Sequence, residues 1–268
     1  MNLRDDQVQR YLRHILLPEI GEKGQEKLLG AKVLLIGAGG LGSPCTLYLA
    51  AAGVGKLGIV DSDKVEISNL QRQIVHSTKS IGTYKADSAK ERLTDINSDT
   101  EVVVYNVRLT AENILEIIRG YDIVVDGSDN PSTRYLVNDA CVLSKKPLSH
   151  GGVLRFGGQL ITILPGESAC YRCLFPEPPL AQSCAEAGIL GVVPGVIGTM
   201  QANEVIKYIL EIGDLLTGRL LIFDGLNSSF REVNVGKDPK CPICSQKPTI
   251  TEVIDYKHCK NRDSDYFL

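Results

Sequence analysis

The fold is decided by one stretch of sequence, Lys32-Val33-Leu34-Leu35-Ile36-Gly37-Ala38-Gly39-Gly40-Leu41-Gly42. Its apolar first half predicts a β-strand, its glycines predict a tight turn, and the residues that follow predict a helix ending near Ala52. A second strand is predicted over residues 56–60, directly before Asp61. This order is typical of the strand–turn–helix–strand unit that opens a doubly wound parallel sheet.

The glycines of this turn fit the G-x-G-x-x-G fingerprint through Gly37, Gly39 and Gly42. The first glycine permits the turn, the second lets a phosphate approach the backbone, and the third allows close helix packing. The helix N-terminus adds free N–H groups and a partial positive charge. Asp61 stands where an acidic residue hydrogen-bonds ribose hydroxyls. Glycine-rich turns also occur without ligands, but the complete unit favours an adenosine phosphate.

Composition bounds the possible partners. The chain has 268 residues, of which 43% are hydrophobic and 23% charged, as in an ordinary soluble α/β protein. Its formal net charge of -3 gives no reason to expect a nucleic acid. No signal-peptide core and no apolar run near the roughly 20 residues that span a bilayer is present, so we expect a cytoplasmic protein that binds no membrane. Eight cysteines in such a chain favour metal binding or chemistry over disulfides.

Hydrophobic periodicity and turn residues predict the remaining elements. The predicted helices span residues 5–17, 22–29, 85–97, 111–119, 131–144 and 195–212, and the predicted strands span residues 101–109, 121–126, 147–153, 158–164, 219–224 and 229–235. The first helix would carry one apolar side formed by Val8, Tyr11, Leu12, Ile15 and Leu16. The order predicts an α/β fold with a Rossmann-like sheet. That sheet would be mostly parallel, with antiparallel strands in the C-terminal half, and an N-terminal helical arm would precede it.

Charged side chains follow two of the predicted strands. A polar segment without periodicity contains Arg72, and Lys85 begins the next helix. These cations are either solvated or converge on a polyphosphate, with lysine as a point charge and arginine as a bidentate fork. Asp129 and Asn130 follow another buried strand, at the edge where open parallel sheets bind ligands. One of them can cap the helix that begins at Pro131, and a carboxylate there also suits Mg²⁺.

Four of the cysteines form two C-x-x-C pairs, Cys170 with Cys173 and Cys241 with Cys244. Four thiolates close a tetrahedral coordination sphere, so the pairs predict a structural metal site. Zinc is favoured, although an iron–sulfur cluster uses the same ligands and metal-free pairs are the simpler alternative. Cys184 stands apart in a loop. It is either a buried small hydrophobe or an exposed thiol that acts as nucleophile or sulfur carrier.

Taken together, these residues resemble the E1-like family of MoeB, ThiF, HesA and the catalytic portion of ubiquitin-activating enzymes. The resemblance covers nearly the whole chain and is closest in motif to MoeB. It rests on motifs that occur in the family's order: Tyr11-Leu12-Arg13-His14, Gly37-Ala38-Gly39-Gly40-Leu41-Gly42, Ser68-Asn69-Leu70-Gln71-Arg72-Gln73, Asp129-Asn130 with Arg134, and both C-x-x-C pairs.

The resemblance implies that ATP, not NAD, occupies the glycine turn. It implies adenylation of the C-terminal glycine of a ubiquitin-like sulfur-carrier protein that ends in Gly-Gly, with catalytic roles for Arg72, Lys85, Asp129 and Cys184. The implied nucleotide-binding set is Gly37, Gly39, Gly40, Gly42, Asp61, Asp63, Asn69, Arg72, Lys85, Asp129, Asn130 and Arg13. Within this set Asp129 would position Mg²⁺, and Arg13 would reach the phosphates of the neighbouring subunit of a homodimer. The paired cysteines would hold Zn²⁺.

The implied organisation is a single E1-like adenylation domain over residues 1–246 and a C-terminal tail over residues 247–268. Residues 1–30 would form the arm, residues 31–150 the nucleotide-binding half and residues 151–246 the zinc-containing half. Without a rhodanese domain in this sequence, a separate sulfurtransferase or cysteine desulfurase would supply sulfur. The pathway, molybdopterin or thiamin biosynthesis or another, stays open, as does a covalent role for Cys184.

Three other functions share parts of this pattern. An enzyme of the same fold could adenylate a small-molecule or tRNA-linked carboxylate. A dinucleotide-dependent oxidoreductase would use the same glycine turn, and a scaffold could bind a ubiquitin-like partner without catalysis. A polyphosphate clamp formed by Arg72, Lys85 and Asp129 disfavours the last two, since neither function needs one.

Overall fold

The computed structural model describes residues 3–176 and 188–256. Its centre is an eight-stranded sheet in the order β3-β2-β1-β4-β5-β6-β7-β8. The strands are β1 Lys32–Ile36, β2 Lys56–Val60, β3 Glu101–Tyr105, β4 Ile123–Asp126, β5 Leu148–Leu154, β6 Gly157–Ile163, β7 Arg219–Asp224 and β8 Ser229–Asn234. Strands β1 to β5 pair in parallel, and β5 to β8 pair antiparallel. The predicted mixed sheet is therefore confirmed.

Helices cover both faces of this sheet. They are α1 Asp5–Ile15, α2 Gly21–Gly30, α3 Gly42–Ala51, α4 Lys85–Ile96, α5 Ile114–Arg119, α6 Pro131–Leu143, α7 Tyr171–Leu174 and α8 Val192–Leu210. Short 3₁₀ turns lie at Ile67–Asn69, inside the segment that lacks periodicity, and at Thr78–Ser80. Within the two described ranges, no helix has the length and apolar character that a bilayer span requires.

The first strand explains why its sequence is an unbroken apolar run. Val33 and Leu35 pack into the core on one face of the sheet, and Leu34 and Ile36 pack into the core on the other face. A central parallel strand is buried on both faces, so every position favours an apolar side chain. This double burial places β1 in the middle of the sheet, between β2 and β4.

The strand order reverses between β1 and β4. Such a switch point leaves a crevice beyond the carboxyl ends of the two strands, which are Ile36 and Asp126 here. The glycine turn follows β1, and Gly127, Ser128 and Asp129 follow β4. The fold therefore brings the two loops predicted to bind ligand to opposite walls of one crevice.

The side of α1 predicted to be apolar is buried only in part. Tyr11 is buried, but Leu12 and Leu16 are 42% and 63% exposed. The helix contacts the rest of the chain along a narrow stripe, where the Tyr11 hydroxyl accepts a hydrogen bond from Asn97 and the ring lies against Gly53. Periodicity identified the helix, but burial depended on a packing partner that is distant in sequence.

The first part of the predicted tail lies against the domain. Ile250, Val253 and Tyr256 pack at the edge of the core that contains Leu34 and Ile36. The carboxylate of Asp255 accepts a hydrogen bond from the backbone N–H of Ala111. This part of the tail thus lies against α6, through Tyr256 and Asp139, and against the loop that precedes α5.

Candidate active site

A cleft of about 320 Å³ opens at the switch point, beyond the carboxyl ends of β1, β2 and β4. Its walls include most of the nucleotide-binding residues predicted from the sequence: Gly37, Gly39, Gly40, Asp61, Asp63, Arg72, Lys85, Asp129 and Asn130. These residues come from segments that are far apart in the sequence. They meet because the parallel strands end at one edge of the sheet. The arrangement fits an elongated anionic ligand that runs from the turn towards the cations.

The glycine turn has its shape for steric reasons. Gly37 adopts φ +92°, and a Cβ there would stand 3.0 Å from the carbonyl oxygen of Gly127. A Cβ at Gly42 would stand 2.0 Å from the Gly37 carbonyl oxygen, so no larger residue fits. At Gly39, by contrast, the nearest atom would be Gln73 Nε2 at 3.6 Å. Gly42 is thus a packing glycine behind the turn, whereas Gly39 presents open backbone to the cleft.

Asp61 is fixed by two backbone amides. Oδ2 accepts from the N–H of Ala38 at 2.8 Å, and Oδ1 accepts from the N–H of Asp63 at 2.9 Å. Burial raises the pKa of Asp61, although the Lys85 charge and these two amides act in the opposite direction. The carboxylate ties the end of β2 to the glycine turn and lines the cleft.

Two cations line the cleft. Lys85 Nζ lies 2.9 Å from Asp63 Oδ2, and Arg72 Nη1 donates to the Ser68 carbonyl oxygen at 3.1 Å. Both side chains line the same cleft, as the polyphosphate interpretation requires. The structure therefore brings the Lys85 ammonium and the planar Arg72 guanidinium together in one cleft.

The loop after β4 contributes a carboxylate and a helix cap. Asn130 Oδ1 accepts from the N–H of Thr133 at 2.9 Å, so Asn130 is the residue that caps α6. The Asp129 side chain stays exposed on the cleft wall. Asp126 lies beneath them, where burial alone would raise its pKa, but the hydrogen bond from His150 Nδ1 at 2.8 Å lowers it instead. The loop thus rests on an ionised, buried carboxylate.

Besides Gly42 behind the turn, two predicted nucleotide-binding residues do not line the cleft. Asn69 is buried, and its Oδ1 accepts from the N–H of Glu66 at 3.1 Å, so it shapes the loop rather than lining the cleft. Arg13 lies on the exposed face of α1, away from the cleft of its own chain. Cys184 lies outside the described residues.

Sequence reasoning left three cleft residues without a role. Among the described residues, the buried atoms Gln73 Oε1 and Ser128 Oγ have no hydrogen-bond partner. Arg134 donates to the Ser128 carbonyl oxygen at 3.3 Å and also lines the cleft. Orphaned buried polar atoms on a cleft wall fit a ligand rich in donors and acceptors, such as a nucleotide. The only signal in the sequence was their position inside the two polar motifs.

The two C-x-x-C pairs meet in one cluster. The four Sγ atoms of Cys170, Cys173, Cys241 and Cys244 lie within 4.8 Å of one another. The separations are 3.6 Å between Cys170 and Cys241 and 3.4 Å between Cys173 and Cys244, near the ~3.8 Å edge of a tetrahedron with metal–sulfur bonds of ~2.3 Å. The backbone N–H of Asp238 donates to Cys173 Sγ at 3.4 Å, a contact that suits a thiolate ligand. The donor set therefore fits a closed metal site.

The residues between Cys170 and Cys173 attach this cluster to α6. The backbone N–H of Tyr171 donates to Asn138 Oδ1 at 2.9 Å. Arg172 forms a bidentate ion pair with Asp139 at 2.8 and 2.9 Å, and both side chains are buried. The Tyr256 hydroxyl donates to the same carboxylate. The helix that borders the nucleotide cleft at its first turn thus holds the cysteine cluster further along.

Comparison with known proteins agrees with this geometry. The model of the ThiF family matches residues 11–243. A protein named sulfur carrier protein adenylyltransferase, from Thermus thermophilus, is 49% identical over 265 residues, which cover 96% of this chain and 98% of that protein. A protein named adenylyltransferase and sulfurtransferase MOCS3, from Culex quinquefasciatus, is 49% identical over 268 residues, and the match covers 98% of this chain but 61% of that protein.

A solved structure supports the fold. The crystal structure of Escherichia coli MccB with MccA-N7isoASN superposes with a TM-score of 0.77 at 25% identity, and the match covers 88% of this chain and 75% of that one. The family model spans nearly the whole chain, including the glycine turn, both cations and three of the four clustered cysteines. The chain therefore belongs to the ThiF family.

Proposed function

We propose that this protein uses ATP to adenylate the C-terminal glycine carboxylate of a ubiquitin-like sulfur-carrier protein. The names of the two relatives at 49% identity support this substrate class. The observation that carries the proposal is the shared cleft. A glycine turn and Asp61 suit an adenosine, and Arg72, Lys85 and Asp129 line the same cleft beyond it. A redox enzyme or a scaffold has no need for this clamp.

In this reaction a carboxylate oxygen of the carrier attacks the α-phosphorus of ATP. The bond from the α-phosphorus to the bridging oxygen breaks, pyrophosphate leaves with that electron pair, and an acyl-adenylate forms. Negative charge builds on the phosphate oxygens during transfer, and Arg72 and Lys85 would stabilise it by hydrogen bonds and charge. Gly39 would let the backbone approach the phosphate closely.

Metal ions would have two separate roles. Asp129 would hold Mg²⁺, which neutralises phosphate charge when bound. The four cysteines would hold Zn²⁺ as a structural ion, since four sulfurs leave no open coordination position. An iron–sulfur cluster is the alternative occupant of the same ligands.

Four further parts of the proposal concern partners and place. The protein would act as a homodimer, in which Arg13 of one chain reaches the phosphates bound by the other. Cys184 would have a catalytic role in the later transfer of sulfur. A separate sulfurtransferase or cysteine desulfurase would supply the sulfur. The reaction would take place in the cytoplasm.

ATP–pyrophosphate exchange tests the proposal. Exchange is measured with no carrier, with a ubiquitin-like sulfur carrier that ends in Gly-Gly, and with the same carrier after removal of Gly-Gly. Exchange that requires the intact carrier supports the proposal. No exchange under any condition contradicts it, and exchange of equal rate without the carrier would mean that the adenylated carboxylate is not the carrier's terminus.

A further inference from the structure

His76 lies in the loop between β2 and α4 and is 8% exposed. Its Nε2 lies 3.0 Å from the carbonyl oxygen of Ala38, and its Nδ1 lies 2.9 Å from Ser88 Oγ. A carbonyl oxygen only accepts, so Nε2 carries the proton and donates to Ala38. In a neutral imidazole Nδ1 then accepts from the Ser88 hydroxyl. Burial lowers the pKa of His76 to about 4, which keeps the ring neutral near pH 7.

Ala38 is a central residue of the glycine turn, and both its polar backbone groups are engaged. Its N–H donates to Asp61 at 2.8 Å, and its carbonyl oxygen accepts from His76. The neighbouring Gly39 presents open backbone to the cleft. The position of that backbone therefore depends on the two side chains that hold Ala38 from opposite ends.

The second contact of His76 leads to the phosphate-binding cation. Ser88 is buried on α4, one helical turn after Lys85, which is the first residue of that helix. The hydrogen bonds and the helix close a ring that passes through Asp61, Ala38, His76, Ser88, Lys85 and Asp63. The ring joins the glycine turn to the start of α4 and encloses one wall of the cleft.

We propose that His76 is a positioning residue that sets the distance between the glycine turn and the Lys85 ammonium, and thereby the fit of the ATP phosphates between them. The inference deepens the proposed function and depends on it. A histidine that merely satisfied a buried carbonyl would affect folding stability alone. His76 differs because its two contacts belong to two separate parts of the nucleotide site.

A double-mutant cycle on ATP affinity tests this role. The dissociation constant of ATP is measured by calorimetry for the wild type, His76→Asn, Lys85→Met and the double variant. Asparagine can reach Ser88 but not Ala38, so we expect His76→Asn to raise the constant about tenfold, as for one lost hydrogen bond. In the Lys85→Met background the same substitution should raise it less than about twofold, because coupled residues are not additive. His76→Gln places an N–H near the Nε2 position and should recover part of the affinity.

Equal rises in both backgrounds, or no rise in either, would overturn the positioning role. If His76→Asn does not fold, the same double-mutant cycle is measured with Ser88→Ala, which removes the hydroxyl that contacts His76 Nδ1. Thr94→Ala is the control. The Thr94 hydroxyl donates to a carbonyl of its own helix, so its loss should leave ATP affinity unchanged. A wild-type protein that binds no ATP would overturn the proposed function itself, which separates the two failures.

Discussion

Lys85 Nζ lies 2.9 Å from Asp63 Oδ2, but the two side chains differ sharply in burial, with 10% of Lys85 and 69% of Asp63 exposed. The ammonium is therefore fixed on the cleft wall while its counter-ion remains solvated. An ion pair with one exposed partner contributes little to folding, typically below about 1 kcal/mol. The main effect of the ion pair is to hold the Lys85 ammonium at the wall of the cleft.

Replacement of Lys85 by methionine keeps most of the unbranched side chain and removes its charge. We expect ATP–pyrophosphate exchange to fall on the order of a hundredfold, since a preorganised charge at the phosphates is lost. Lys90→Met is the matched control, because Lys90 is exposed on the same helix. Exchange within threefold of wild type in Lys85→Met would remove Lys85 from the mechanism.

Asp129→Asn tests the magnesium assignment. The variant should need a higher Mg²⁺ concentration for half-maximal exchange, because a neutral amide binds Mg²⁺ more weakly than a carboxylate. Its melting temperature should stay near the wild-type value, since Asp129 is exposed. Glu116→Gln, at an exposed position of α5, is the control. An unchanged Mg²⁺ requirement in Asp129→Asn would show that the ion is held elsewhere.

Asn130→Ala should lower the folding stability of the protein. Loss of the hydrogen bond to the Thr133 N–H removes the cap of α6 and should cost about 1 kcal/mol of unfolding free energy, measured with urea. Asn130→Ser keeps a capping oxygen and should recover most of the loss. The assignment of Asn130 as the cap would be wrong if alanine and serine were equivalent.

The cysteine cluster predicts metal content. Elemental analysis of the purified protein should find zinc, and Cys244→Ala should lose it together with several degrees of melting temperature, since metal binding and folding are linked. Cys141→Ala removes a buried thiol outside the cluster and should keep the metal. If the wild-type protein contains iron and acid-labile sulfide instead, the four cysteines hold an iron–sulfur cluster and the zinc assignment is wrong.

Acid should destabilise the fold partly through His76. The pKa of His76 is about 6.5 in the unfolded chain and about 4 when folded, because burial and, to a smaller extent, the Lys85 charge oppose protonation. Between these values the unfolded chain binds the proton and the folded chain does not. Unfolding free energy therefore falls as pH decreases from about 6.5 to about 4, by up to about 3 kcal/mol from this group. Urea titrations at several pH values should show a shallower decline for His76→Gln, and an identical decline would contradict the assignment.

Local patterns predicted the parts of the fold that short segments determine. The apolar run of β1 needed only burial on two faces, and the glycines needed only the close approach to Gly127 that the structure shows. The four-cysteine cluster could also be predicted from the sequence, because the C-x-x-C spacing limits where two thiols can point. The opening stretch alone did not distinguish ATP from a dinucleotide.

Tertiary contacts decided what the sequence left open. Residues 62–76 have no periodicity, so the inward position of Asn69 and the two contacts of His76 could not be predicted. Both depend on partners from other segments, Ala38 and Ser88 in the case of His76. The exposure of Leu12 and Leu16 likewise follows from where α1 packs.

With a metal bound to the four cysteines as proposed, the ion pair between Arg172 and Asp139 would link the metal site to the helix that borders the cleft. Arg172 stands between two cysteines of the cluster, and Asp139 belongs to the helix whose first turn borders the nucleotide. Loss of the metal would loosen the segment that carries Arg172, and a buried carboxylate that loses its guanidinium partner costs several kcal/mol. That helix would shift or fray before the domain unfolds. Loss of the metal would therefore lower activity while much of the fold persists. The ATP affinity of a preparation would then depend on its metal content.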